Sequence, residues 1–158
     1  MIALLYFILP AIACASLVVL DQWVKNWAVA VLAPAGELPF LNGFLRFAYV
    51  ENEGAAFGIL QGAQWFFIPL TIVMLLVFAV YYVRLPRIRK YWLIRVPLVF
   101  VLAGAAGNFI DRAGNGFVVD MFEFEFITFP VFNIADMCLV GGAITMAVMT
   151  LFVLREHE

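Results

Sequence analysis

Three aspartates, Asp111, Asp120 and Asp136, fall within the stretch from Gly104 to Asp136, with Asn108, Arg112 and Asn133 beside them. Asp120 and Asp136 are the sharpest pair. Asp120 follows Val118-Val119 and leads into an alternating run; Asp136 follows Phe132-Asn133-Ile134-Ala135 at the start of a long apolar segment. Two carboxylates brought close together do not both ionise easily, so they share a proton. The ionised one can take a proton from water while the protonated one polarises a peptide carbonyl, which is the chemistry of aspartic proteases. Such a pair titrates as a unit. A plainer role exists for both. Asp136 fits an N-cap or first-turn acid favoured by the helix dipole, and Asp120 fits a wet strand end. Spacing alone favours that plainer role.

The neighbouring polar residues carry less chemistry by themselves. Asp111 and Arg112 end an apolar segment, where a salt bridge or an interfacial anchor is expected. Asn108 and Asn133 are amides near hydrocarbon and need partners; the ends of two helices can aim them at one place. Asn52 has turn chemistry as its simplest explanation. Asp21 and Lys25 are spaced i, i+4 and can pair on one helix face, with Lys25 snorkelling toward headgroups. The single histidine, His157, lies next to the C-terminal residue, and no HExxH motif or His/Cys cluster offers a zinc site. No metal or cofactor is expected. Cys14 and Cys138 both sit in apolar segments and are expected to act as small apolar residues, not as a disulfide.

These residues must be positioned by membrane elements. The 158-residue chain is 66% hydrophobic and only 13% charged, whereas a soluble domain is about a quarter charged. Net charge is −2 and no basic run points to nucleic acid. Four apolar segments, at about residues 2–20, 65–83, 92–110 and 135–154, approach the roughly 20 residues a helix needs to cross the hydrocarbon core. In lipid the backbone must satisfy its own hydrogen bonds, so each is predicted to be helical. A cleaved leader is the rival for the first segment, and Ala11-Ile12-Ala13-Cys14 faintly resembles a lipoprotein cleavage box. No basic residue precedes the apolar run, which argues for a retained helix.

Five of the nine Lys and Arg residues, Arg84, Arg87, Arg89, Lys90 and Arg95, flank the short link between the second and third segments at 84–91, and Arg155 follows the fourth. The positive-inside tendency places that link and both termini in the cytoplasm. Residues 31–64 and 111–132 then face outward. Asn42-Gly43 and Glu51–Gly54 read as turns, and Phe44–Val50 as a strand. Phe122, Phe124 and Phe126 alternate with Glu123 and Glu125, a period of two. The expected fold is one integral membrane domain: an all-α core of four transmembrane helices with a small extracytoplasmic β-structure at the membrane surface. Its phenylalanines suit interfacial anchoring. Gly104, Gly107, Gly141 and Gly142 are expected to allow close helix packing.

Taken in order, Asp21-Gln22-x-x-Lys25, Asn52-x-Gly54-Ala55-Ala56-Phe57, Gly104-x-x-Gly107-Asn108-x-x-Asp111-Arg112, Val118-Val119-Asp120 and Phe132-Asn133-x-Ala135-Asp136 resemble the lipoprotein signal peptidases, the signal peptidase II family. Each motif is weak alone; five in order along nearly the whole chain are specific. Met121 and Ala105-Ala106 are mild departures from the family pattern. The resemblance implies a multi-pass aspartic endopeptidase of the bacterial cytoplasmic (inner) membrane, working on its outer, periplasmic face. It would cut the signal peptide from a prolipoprotein just before the diacylglyceryl-modified cysteine. Asp120 and Asp136 would be the catalytic dyad. Asn108, Arg112 and Asn133 would surround the dyad or hold substrate, and Asn52 with Gly54–Phe57 would close over it. Asp21, Lys25 and Asp111 would be structural. The implied partners are diacylglyceryl-prolipoproteins and membrane lipids, with inhibition by globomycin-type cyclic peptides and a monomeric state.

Two other classes fit the composition. One is a small transporter or channel whose acids relay protons, although the acids cluster at one face and not at mid-bilayer. The other is a non-catalytic chaperone that binds a partner through its outer segment. Neither would shorten a lipid-modified substrate.

Overall fold

A computed structural model of the chain describes residues 4–55 and 59–155. Among the described residues, four helices are long and apolar enough to cross a membrane, and three strands form one antiparallel sheet. In chain order these are α1 (Leu4–Ala35), then β1 (Glu37–Leu41), β2 (Leu45–Asn52), α2 (Gln64–Arg84), α3 (Trp92–Asn115), β3 (Val118–Phe124) and α4 (Ile134–Arg155).

α3 is the central helix. Its buried residues run from Ile94 to Asp111, whereas α2 buries only Tyr82. With the apolar outer faces left to lipid, helix association rests on close packing, and small residues permit it. A Cβ on Gly142 would lie 2.7 Å from the Pro97 carbonyl oxygen, and one on Gly107 would lie 2.6 Å from Asp21 Oδ2. Gly104 faces the Ala135 carbonyl at similarly close range. The expected role of these glycines is therefore realised at Gly104, Gly107 and Gly142. Gly141 differs: open space surrounds it.

α1 differs most from expectation. It continues to Ala35, with π-helical turns at Leu4–Ile8 and Ala28–Leu32, and ends where Gly36 takes φ +80°. Residues 31–35, expected in the outer segment, are helical. The reason is packing: Ala28 and Leu32 are fully buried against Val119 and Met121 of β3. Asp21 and Lys25 consequently lie inside the helix, and Lys25, at 3% exposure, does not snorkel. α3 likewise runs past Ile110, so Asp111 and Arg112 belong to its last turns.

The sheet has the order β1-β2-β3. Asn42 and Gly43 form the predicted turn, with Gly43 at φ +75°. Glu51 and Asn52, expected in a second turn, complete β2 instead. The period-two run resides in β3, which begins earlier, at Val118, and ends at Phe124, leaving Phe126 outside it. Phe47, Phe122, Phe124 and Phe132 form a chain of ring contacts across the sheet and the segment before α4. Arg95 also departs from its assignment to the basic link. It is fully buried and donates to the Tyr82 and Leu85 carbonyls at 3.0 and 2.7 Å, capping the C-terminal end of α2. The Tyr6 and Tyr82 rings flank its guanidinium.

Candidate active site

Asp120 sits in β3 and is set by strand pairing. Val50 is its partner in β2, and Asn52 pairs with Val118 two positions away. Diagonal neighbours on one sheet face are within side-chain reach, and Asn52 Nδ2 donates to Asp120 Oδ2 at 2.9 Å. Asp136 is set by the first turn of α4. Asn133 is the residue before that helix, and the two close a reciprocal cap. The Asp136 N–H donates to Asn133 Oδ1 at 2.8 Å, and the Asn133 N–H donates to Asp136 Oδ2 at 3.2 Å. This is the capping-box arrangement, which satisfies otherwise orphaned donors at a helix start. The plainer first-turn role is thus real for Asp136; it does not displace Asp136 from the site.

Two amides join the carboxylates. Asn133 Nδ2 donates to Asp120 Oδ1 at 2.6 Å and to Asn108 Oδ1 at 3.1 Å. Asn108 Nδ2 donates to Asp136 Oδ1 at 2.7 Å. Each carboxylate therefore receives two N–H donors, and Asp120 and Asn133 are almost wholly buried. Burial, and next the negative charge of Asp136, push the Asp120 carboxyl up to about 7; the Asn52 and Asn133 hydrogen bonds and the Lys25 charge oppose this.

A second polar layer lies behind the first. Lys25 Nζ pairs with Asp21 Oδ2 at 2.9 Å and with Asp111 Oδ2 at 2.8 Å, and donates to Asn108 Oδ1 at 2.9 Å. Asp21 Oδ1 accepts the Ala135 N–H at 2.9 Å, adding a cap to α4 from α1. Asp111 Oδ2 accepts the Val119 N–H at 3.2 Å, which ties the strand before Asp120 to α3. The expected Asp111–Arg112 pairing is replaced. Consecutive helix residues point in different directions, so Asp111 turns inward to Lys25 while Arg112 donates to the Gly54 carbonyl at 3.0 Å and stacks on Phe67. Gly54 in turn gives its N–H to Asn52 Oδ1 at 3.0 Å. The Phe57 end of the expected closing segment lies outside the described residues.

A cavity of about 680 Å³ opens beside the carboxylates. Its polar end holds Asn52, Asn108, Arg112, Asp120 and Asp136; its apolar wall is formed by Phe129–Phe132 and by Met137, Val140 and Gly141 along α4. The sequence reading missed this wall. The cue was the placement of Gly141 four positions after Met137 on the same helix as Asp136, but helix packing explained that glycine equally well. Gln22 was also missed as a contributor: its side chain donates to Asp111 Oδ1 at 2.8 Å and to the Gly107 carbonyl at 3.2 Å. No group of three or more His, Cys, Asp or Glu among the described residues is arranged to hold a metal ion. Two hydrogen-bonded carboxylates, one near neutrality, beside a half-apolar cavity can activate water against a bound carbonyl.

The family model described as signal peptidase (SPase) II matches residues 13–152. The chain is 41% identical over 129 residues to a lipoprotein signal peptidase of Lactiplantibacillus plantarum, covering 82% of this chain and 85% of the relative. It is 40% identical over 136 residues to that of Clostridioides difficile, covering 86% and 90%. Against that of Latilactobacillus sakei subsp. sakei it is 41% identical over 148 residues, covering 94% of each. A solved bacterial membrane enzyme, obtained by the in meso method, superposes with a TM-score of 0.84 at 30% identity, covering 97% of this chain and 94% of that one. A second gives 0.81 at 31%, covering 92% and 95%.

Proposed function

We propose, for a chain that belongs to the signal peptidase (SPase) II family, that Asp120 and Asp136 act as an aspartic dyad cutting diacylglyceryl-modified prolipoproteins just before the lipidated cysteine. The observation that carries this reading is the junction of the two carboxylates with the cavity. The polar end presents the acids, and the apolar wall descends along α4, a helix apolar enough to span the membrane. A substrate with a peptide bond at the interface and acyl chains in the bilayer has the same division.

In this mechanism the ionised carboxylate takes a proton from water as the water oxygen attacks the scissile carbonyl carbon. The protonated carboxyl donates toward the carbonyl oxygen. Collapse of the tetrahedral intermediate breaks the C–N bond, and a proton passes to the leaving amino group of the cysteine. Asn108 and Asn133 hold the acids in place, and Arg112 with Asn52 anchors the Gly54 segment over the site. The basic residues after α2 favour a cytoplasmic position for that link and both termini, which puts the dyad on the outer face of the bacterial inner membrane. The protein acts as a monomer, and globomycin-type cyclic peptides compete for the same cavity.

The test uses purified protein in lipid or detergent with a diacylglyceryl-modified prolipoprotein, comparing wild type, Asp120→Asn and Asp136→Asn by product mass. Cleavage before the lipidated cysteine by wild type, and none by either folded variant, supports the dyad. Near-normal cleavage by one variant removes that aspartate from the mechanism. An intact substrate with wild-type enzyme removes the peptidase reading.

A further inference from the structure

We propose that Lys25 is a positioning residue: its ammonium group fixes which way round the Asn108 amide sits and so delivers an N–H, not a carbonyl oxygen, to Asp136. The inference rests on the peptidase reading above.

The argument is one of donor and acceptor counting. A lysine ammonium has three hydrogens and accepts none. Two meet Asp21 Oδ2 and Asp111 Oδ2, at 2.9 and 2.8 Å. The third meets Asn108 Oδ1 at 2.9 Å. At 3% exposure Lys25 is removed from solvent, so these protein acceptors take up its hydrogens. The two carboxylates aim the group. Asp21 is itself held by the Ala135 N–H, and Asp111 by Gln22 and the Val119 N–H.

An asparagine side chain has an oxygen at one end and an NH2 at the other. The end of Asn108 nearest Lys25 also faces Asn133 Nδ2 at 3.1 Å. Both facing groups are donors, so this end must be oxygen. The NH2 then points to Asp136 Oδ1 at 2.7 Å. Turned by half a rotation, the amide would set NH2 against an ammonium and another NH2, and its oxygen against a carboxylate. Every contact would be repulsive. The amide polarity continues through Asn133, whose own NH2 reaches Asp120 Oδ1 at 2.6 Å, so α1 is linked by hydrogen bonds to both carboxylates.

The test removes the ammonium without stranding its partners, because an unpaired buried charge would unfold the protein for reasons unrelated to catalysis. Lys25→Met is combined with Asp21→Asn and Asp111→Asn, and kcat and KM are resolved in the prolipoprotein assay alongside the melting temperature in detergent. Wild-type cleavage reports on the peptidase reading; only the variants report on Lys25. The expected result is a folded triple variant with KM within about threefold of wild type and kcat lowered about 100-fold. A wild-type kcat in that folded variant makes Lys25 a counter-ion and overturns the proposal. If the triple variant does not fold, Asn108→Asp tests the premise on which the proposal stands, that an N–H from residue 108 to Asp136 matters for kcat. Its carboxylate still accepts from Lys25 and Asn133 but, ionised, cannot donate to Asp136, so kcat should fall about 100-fold. Retention of wild-type kcat there overturns the proposal as well.

Discussion

Asn133 and Asp136 cap one another, side chain to backbone in both directions, at 2.8 and 3.2 Å. The acid that faces the cavity is also the acid that starts α4. Its conformation is therefore held by the helix before any substrate arrives, the kind of prior ordering that lets a site act without reorganising.

The double role separates two substitutions. Asp136→Asn keeps an oxygen for the Asn133 N–H, so the cap survives while ionisation is lost. Asp136→Ala loses both. Both variants should be inactive, but the alanine variant should be less stable by about 1 kcal/mol, the usual worth of a cap. Equal melting temperatures would show that the cap contributes nothing measurable.

The rate should depend on pH through Asp120. Its carboxyl, pushed up to about 7 by burial and by Asp136, is protonated at mildly acid pH. As pH rises through about 7 Asp120 loses its proton and can no longer donate to a carbonyl, so kcat should fall on the alkaline side. A kcat that stays flat from about pH 6 to 9 would contradict this assignment.

Stability should follow the same group with a definite sign. An unfolded aspartate titrates near 3.9, and the folded one near 7. Between these values the folded chain keeps a proton that the unfolded chain releases. The contribution of Asp120 is thus complete below about 3.9 and is lost as pH rises through about 7. Asp120→Asn should flatten this part of the melting-temperature profile and raise the melting temperature at alkaline pH. An unchanged profile would show that Asp120 does not hold the proton.

Gly107→Ala should be damaging through helix packing. Its methyl group would meet Asp21 Oδ2 at 2.6 Å and Ala135 Cβ at 3.1 Å, forcing α3 away from α1 and α4. Overpacking of this kind costs about 1–3 kcal/mol. Gly141→Ala, in open space, should leave the melting temperature unchanged, and the pair measured together in detergent isolates the packing effect.

Four helices and strands around Asp120 were legible because apolar length and period-two alternation are local signals. The end of α1 was not. Asp21, Gln22 and Lys25 interrupt the apolar run and read as a helix exit. They are tolerated because α3 supplies Asp111, Asn108 and the Gly107 carbonyl opposite them, and no local pattern announces a partner so far along the chain. The Asp111–Arg112 assignment failed for a related reason: adjacency in sequence suggested a pair, while helical rotation sends the two side chains apart. For Asp136 the first-turn reading is realised in the reciprocal cap with Asn133, and that same side chain lines the cavity beside Asp120.

The burial of Lys25 also bears on how the protein is made. α1 is synthesised first and brings Asp21 and Lys25 into the membrane as an i, i+4 pair, with the ammonium still lacking the Asp111 and Asn108 contacts. Those arrive only with α3, and Asp21 finds the Ala135 N–H only with α4. Without α3 and α4, α1 would present a polar face that the complete protein keeps covered.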